Sequence, residues 1–215
     1  MREQKRIITS GPLLDKNGTL SQCGYATEAI LRYRRSDIKA PPWRIKEWDF
    51  YQVSNDNYCV QFTIGHTSYA GALTVTFFCY DSGLRYDKTA TLILPFGSLN
   101  MPSSASKGIE AKHAGVGISF DVSPGKRVLR CKTEADKKTP AMESEIVLSQ
   151  PYNTSLVIAT PFKEYAQAFY YNEKINCMPA EGYISIGAEH YNFEPESSFG
   201  LLDWGRGVWP FHAKR

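Results

Sequence analysis

The sequence predicts an all-β fold: an antiparallel meander closed into a barrel, with a sandwich as the alternative. Three observations carry this expectation. Apolar residues recur at every second position over much of the chain. Clusters of Gly, Pro, Asn, Asp and Ser punctuate the alternating runs. Helical periodicity is scarce. Many strands joined by short connections favour a barrel, because closure removes unpaired edges; alternation alone fits two stacked sheets equally well.

Taken in order, residues 1–42 read as an extended N-terminal arm. Pro12, Gly18, Gly24, Pro41 and Pro42 interrupt it, and a short helix is placed at 26–33. Residues 43–215 read as the barrel domain. Its first two strands are expected at 44–54 and 57–65, joined by the turn Asn55-Asp56-Asn57. In the second, Tyr58, Val60, Phe62 and Ile64 face one way and Cys59, Gln61 and Thr63 the other. Strands at 69–80 and 88–94 flank Asp81-Ser82-Gly83, and residues 97–115, rich in Ser, Gly and Lys, read as a long loop. A strand at 116–122 alternates Val116, Ile118, Phe120 and Val122 with smaller or polar residues. The turn Ser123-Pro124-Gly125 leads to the next at 127–132, with Pro fixing φ and Gly accepting the positive φ that follows. Further strands are expected at 143–149, 153–160, 167–173 and 182–188, with turn chemistry at Glu181-Gly182 and at Asn153-Thr154-Ser155. The segment from Phe199 to Trp209 reads as a site or a closing strand. Gly200, Gly205 and Gly207 free its backbone, Trp204 and Trp209 supply amphipathic rings, and Asp203 and Arg206 are spaced for an ion pair.

Composition bounds the partners. A chain of 215 residues buries roughly 70% of its unfolded surface, enough for a sizeable core. A net charge of +3 does not imply a polyelectrolyte partner, so no nucleic acid is expected. Arg32, Arg34, Arg35 and Lys39 around Tyr33 form a basic cluster, but Glu28 and Asp37 dilute it into a solvated face. The most apolar run, residues 71–80, is too short to cross a bilayer as a helix, so no integral membrane segment is expected. Five widely spaced cysteines without a C-x-x-C fit buried thiols in a reducing compartment. The N-terminus has no apolar run of a signal peptide. A cytoplasmic location is the expectation.

Four segments carry a family resemblance. They are Ile8-Thr9-Ser10-Gly11-Pro12-Leu13-Leu14-Asp15, the stretch from Ile38 through Trp43-Arg44-Ile45-Lys46-Glu47-Trp48-Asp49-Phe50-Tyr51, the stretch from Val157 through Phe169-Tyr170-Tyr171-Asn172-Glu173-Lys174-Ile175-Asn176-Cys177-Met178-Pro179-Ala180, and Leu202-Asp203-Trp204-Gly205-Arg206-Gly207. Over nearly the whole chain they resemble an uncharacterised family of intracellular proteins, a domain of unknown function. Its all-β pattern is in turn similar, more weakly, to the tandem lipocalin-like superfamily of hydroxyneurosporene synthase and a lipid-associated fungal survival factor. The resemblance implies a calycin-type barrel with an apolar cavity. Members of that family run on past the Asp-Trp-Gly-Arg segment, so the barrel domain is expected to be truncated at its C-terminal end, and to be the first of two barrels.

Candidate chemistry concentrates in three places. Asp203, Trp204 and Arg206 could line a barrel mouth and bind or polarise a ligand; otherwise the ion pair pins a turn. Arg44, Lys46 and Trp48 share one face of the first strand and Ile45, Glu47 and Asp49 the other, so a carboxylate turned into the barrel needs a partner. Tyr170 and Tyr171 suit a cavity wall, and Lys174 near Cys177 could lower its pKa. The expected ligand-binding set is therefore Trp48, Arg44, Tyr170, Tyr171, Asp203, Trp204 and Arg206. His66, His113, His190 and His212 share no ligand spacing, so neither a metal nor another cofactor is expected. G-x-S-x-G, Walker A and G-x-G-x-x-G motifs are absent.

Three functions follow. The first is binding of a small hydrophobic or lipid-like molecule in the barrel cavity. The second is a hydratase or isomerase acting on an unsaturated apolar substrate, with Asp203 as acid and Tyr171 or His66 assisting. The third is an interaction module with a filled barrel. A desolvated carboxylate with a raised pKa inside an open cavity separates the second from the first.

Overall fold

The computed structural model describes residues 4–152 and 154–210; the expected turn at Asn153, His212 and the last five residues of the barrel domain lie outside the described residues. Three short strands come first: β1 (Gly11–Pro12), β2 (Gly24–Ala26) and β3 (Leu31–Arg32). Ten-residue β4 (Ile45–Ser54), β5 (Tyr58–His66), β6 (Ala70–Cys79) and β7 (Arg85–Ile93) form an antiparallel meander. A second meander comprises β8 (Ile109–His113), β9 (Val116–Ser123), β10 (Lys126–Thr133) and β11 (Met142–Ser149). The remaining strands are β12 (Leu156–Pro161), β13 (Phe169–Ile186), β14 (Glu189–Phe193) and β15 (Phe199–Val208).

Thirteen of these strands form one continuous sheet along the path β7-β6-β5-β4-β15-β13-β11-β10-β9-β8, with β2, β12 and β14 attached beside it, which excludes the sandwich of two separate sheets; β1 and β3 pair with each other apart from it. The ends of the path, β6–β7 and β8–β9, approach each other without a hydrogen-bonded ladder. The fold is thus an antiparallel lipocalin-like sheet nearly closed into a barrel. Its inner faces bury Tyr51, Phe62, Ile64, Leu73, Val75 and Phe77 from one meander, and Ile118, Phe120, Leu129 and Ile146 from the other. Tyr51 meets Phe120 across the barrel, with ring centroids 4.5 Å apart.

Several sequence expectations need correction. The helix at 26–33 does not form: Ala26 ends β2, which pairs with β12, and Leu31–Arg32 is β3. The loop at 97–115 contains β8, whose pattern is masked because only Ala111 is fully buried along it. Residues 167–173 and 182–188 are not separate strands joined by a Glu181-Gly182 turn. They belong to β13, whose first half pairs with β15 and β12 and whose second half pairs with β11 and β14. A bulge after Ile175, with Cys177 at φ 58°, bends the strand between its two sets of partners. Gly182 is needed there because a Cβ would lie 2.2 Å from the Glu145 carbonyl oxygen on β11. Cys59 and Cys131 are buried as expected, but Cys23 and Cys79 are half-buried and Cys177 is exposed; all five are free thiols. No helix among the described residues is long and apolar enough to cross a membrane.

Candidate functional site

The geometry of β15 decides the site. Alternation on a strand sends residues an odd number apart to opposite faces, so Asp203 and Arg206 part company and the expected ion pair between them is not made. Asp203 stays on the outer face. There it accepts hydrogen bonds from Trp48 Nε1 at 3.1 Å and Asn172 Nδ2 at 2.6 Å and forms an ion pair with Lys174. Arg206 points inward and is fully buried, donating to Asp49 Oδ1 at 2.7 Å with Glu47 Oε1 3.9 Å away.

The glycines explain the outer face. A Cβ on Gly205 would lie 2.2 Å from the six-membered ring of Trp48, and one on Gly207 2.6 Å from Trp209. Both indoles therefore approach a bare backbone, which at Gly207 also lies close to the Phe169 carbonyl. Trp48 also stacks on Tyr170, centroids 5.8 Å apart at 20°, and Trp209 packs against Trp48, Tyr170 and Phe162. Four of the expected ligand-binding residues thus lie off the barrel interior. Trp48, Tyr170 and Asp203 build this outer aromatic cluster, and Arg44, in a 3-10 turn before β4, lies over the Tyr165 ring.

Inside, Trp204, Tyr171 and Arg206 converge. The Arg206 guanidinium lies 4.1 Å above the Trp204 ring, and Tyr33 and Tyr171 meet that ring edge-on at 6.1 and 5.8 Å. Of the basic cluster of the arm, Tyr33 and Arg35 turn in here, while Arg32, Arg34 and Lys39 stay exposed. Tyr33 is buried and donates to Glu47 Oε1 at 2.7 Å, while Arg35 pairs with the other Glu47 oxygen. Burial raises the Asp49 pKa, and Arg206 only partly offsets it.

The loop after β7 plugs the barrel between two buried arginines. Arg206 donates to the Pro102 carbonyl at 2.8 Å through Nη2, and Arg127 donates to the Ala105 carbonyl at 2.7 Å and to Tyr51 Oη at 2.9 Å. What stays open beside the plug is a pocket of about 210 Å³, lined by the arm (Leu31, Tyr33), Ser103 and Ser104 of the plug, and Tyr171, Glu173 and Trp204 of the barrel. Arg32 and Arg34 border it.

Two polar groups in this pocket stand out. Trp204 Nε1 is buried and has no hydrogen-bond partner, which is uncommon for a buried indole. Glu173 faces Trp204 in register across β13 and β15. Burial raises its pKa; Arg127 and the neighbouring Ser155 hydroxyl pull the other way, although that hydroxyl makes no well-formed hydrogen bond. Burial also pushes the Tyr171 phenol pKa well above its ordinary value, and its hydroxyl donates to the Leu31 carbonyl at 2.8 Å. Of the three expected acid–base residues, Tyr171 alone lines the pocket.

His66 ends β5 and is fully buried, away from the pocket lining. Burial, and then Arg35, lower its pKa, which favours the neutral ring. Backbone amides face both ring nitrogens: Gly97 N donates to Nε2 at 2.5 Å and Ser68 N to Nδ1 at 3.2 Å, with Glu47 3.9 Å from Nδ1. No group of three or more His, Cys, Asp or Glu among the described residues could hold a metal ion.

Comparison with known proteins agrees with this architecture. No curated protein matches the chain. Among solved structures it is similar to a Nitrosomonas europaea protein described as a candidate AttH, at 13% sequence identity and a TM-score of 0.52. The likeness takes in 79% of this chain and 53% of that one, so the chain spans about half the length of that protein. At such identity it speaks for the fold alone. The sequence match is broader, reaching from residue 4 to residue 215. The chain belongs to the family of the domain of unknown function DUF2804.

Proposed function

We propose that the protein binds a small, uncharged, largely apolar molecule with one oxygen function, in the pocket between the arm, the plug and the barrel. The observation that carries this reading is the buried, unpartnered Trp204 Nε1–H facing Glu173. An unmade hydrogen bond on a buried donor costs stability, and a ligand oxygen would satisfy it. Its walls combine the aromatic Tyr33, Tyr171 and Trp204 with the polar Ser103, Ser104 and Glu173, a mixture that can hold and orient a small molecule. The volume of about 210 Å³ lies below the roughly 300–1,000 Å³ of drug-sized sites. The occupant is therefore small, or extends outward past Arg32 and Arg34. The outer cluster of Trp48, Tyr170 and Asp203 takes a supporting role in this reading, because it holds the strand that presents Trp204.

A second reading rests on Glu173. A desolvated carboxyl in a pocket is suited to deliver a proton, which favours a hydratase or isomerase acting on an unsaturated apolar substrate, with Glu173 replacing Asp203 as the acid.

Native mass spectrometry of the purified protein, followed by extraction into organic solvent, tests binding. An extractable mass is expected from the wild type, with several-fold less retained by Trp204→Phe, which keeps a ring and removes the N–H. Saturable uptake of an apolar fluorophore should weaken in the same variant. No extractable mass and no saturable uptake would remove both readings and leave the filled-barrel module.

A further inference from the structure

A second feature lies at the barrel end where β5 turns into β6 and β7 leaves the sheet. Four large apolar or aromatic side chains cluster there and remain outside the core: Tyr69 is 53% exposed, Ile93 84%, Leu94 55% and Phe96 58%. Single exposed apolar residues are ordinary, but several on adjoining turns mark an interaction surface.

The two turns are rigidly joined. Leu94 N donates to the Tyr69 carbonyl at 3.0 Å, Phe96 N to the Ser68 carbonyl at 3.1 Å, and Gly97 N to the buried His66. Ser68, Leu94 and Phe96 take φ values of 68°, 51° and 41°. This left-handed region disfavours residues with a Cβ, yet the surrounding hydrogen bonds impose it. Such strain tends to persist at functional sites.

The charges beside the patch are basic. Lys46 Nζ donates to Tyr69 Oη at 2.9 Å and lies 4.4 Å from its ring centroid, and no carboxylate among the described residues is within ion-pair reach of it. The Arg35 guanidinium also reaches Gly97 at the edge of the patch, although its charge is paired with Glu47. Protruding aliphatic and aromatic tips beside a lysine without a carboxylate partner suit a flat apolar phase with a negative surface.

We propose that the platform of Tyr69, Ile93, Leu94 and Phe96 seats this end of the barrel on an anionic lipid surface. The apolar tips enter the acyl boundary, Tyr69 stays at headgroup level, and Lys46 meets the lipid phosphates and carboxylates. This proposal does not depend on the ligand pocket.

The test is flotation of the full chain with two vesicle types, phosphatidylcholine alone and an equimolar mixture of phosphatidylcholine and phosphatidylserine. Binding to the mixed vesicles is expected to exceed binding to phosphatidylcholine by about tenfold and to fall as salt is raised. Ile93→Ser and Phe96→Ser should each lower it several-fold, and Lys46→Gln should lower only the phosphatidylserine-dependent part. Leu94→Gly with Phe96→Gly is the control for folding. Glycine accepts the positive φ, so this variant should melt no lower than the wild type while losing vesicle binding. Absence of flotation, equal flotation of the wild type and the glycine variant, or concentration-dependent dimers abolished by Phe96→Ser would each overturn the proposal. The last outcome would assign the patch to self-association.

Discussion

Gly205→Ala is the sharpest probe of the Asp-Trp-Gly-Arg-Gly segment. The new methyl would stand 2.2 Å from two ring atoms of Trp48 and 2.7 Å from a third, well inside van der Waals contact. The ring has little freedom to retreat, being stacked on Tyr170, wedged against Trp209 and hydrogen-bonded to Asp203. Overpacking alone costs about 1–3 kcal/mol. Displacing the indole adds about 1 kcal/mol for its hydrogen bond and about 0.5–1.5 kcal/mol for each ring pair it leaves. A loss of about 3–7 kcal/mol is expected, or roughly 6–28 °C in Tm at about 2–4 °C per kcal/mol for a chain of this size. Thermal unfolding followed by circular dichroism, with denaturant titration for the free energy, provides the measurement. The decisive comparison is a double-mutant cycle with Trp48→Ala. If the ring is the obstacle, adding the methyl to the Trp48→Ala background should cost less than about 1 kcal/mol. Equal costs in both backgrounds would refute the reasoning, as would a Gly205→Ala single variant as stable as the wild type.

Two further outcomes are expected. Arg206→Ala should destabilise the fold by about 3–5 kcal/mol by leaving Asp49 buried without its cation, and it should loosen the plug, measured by faster amide exchange around residues 103–105. Glu173→Gln should stabilise the empty protein at neutral pH, because a raised carboxylate pKa means that the folded state resists ionisation. The gain should shrink as pH falls through the folded pKa toward the ordinary Glu value and vanish below it; thermal melts across pH 4–8 of both proteins measure it.

Much of the architecture was legible in the sequence because it rests on period-two burial. β4 to β6 and β9 to β11 fall within a few residues of their expected bounds. What escaped was set by distant partners. The 18-residue β13 looked like two strands around a turn because Gly182 reads locally as a turn residue, whereas its role is a close approach to β11. Asp203 and Arg206 were paired by spacing suited to a turn; on a strand the same spacing separates them. The same alternation could have found the pocket carboxylate, since Tyr171 and Glu173 necessarily share a face. The capture of loop carbonyls by Arg127 and Arg206 had no local signal, because these partners lie 22 and 104 residues away.

The position of β15 has a temporal consequence. It lies between β4 and β13, so the sheet is joined by a strand that leaves the ribosome after both of its neighbours. Until then the chain can form two separate half-sheets, each ending in an unpaired edge, while Asp49 awaits an arginine 157 residues downstream. Barrel assembly is thereby delayed until late in synthesis, and the interval exposes two sticky edges. Such long-range closure makes folding slow. Nascent chains shorter than Arg206 are expected to rely on chaperones that shield strand edges.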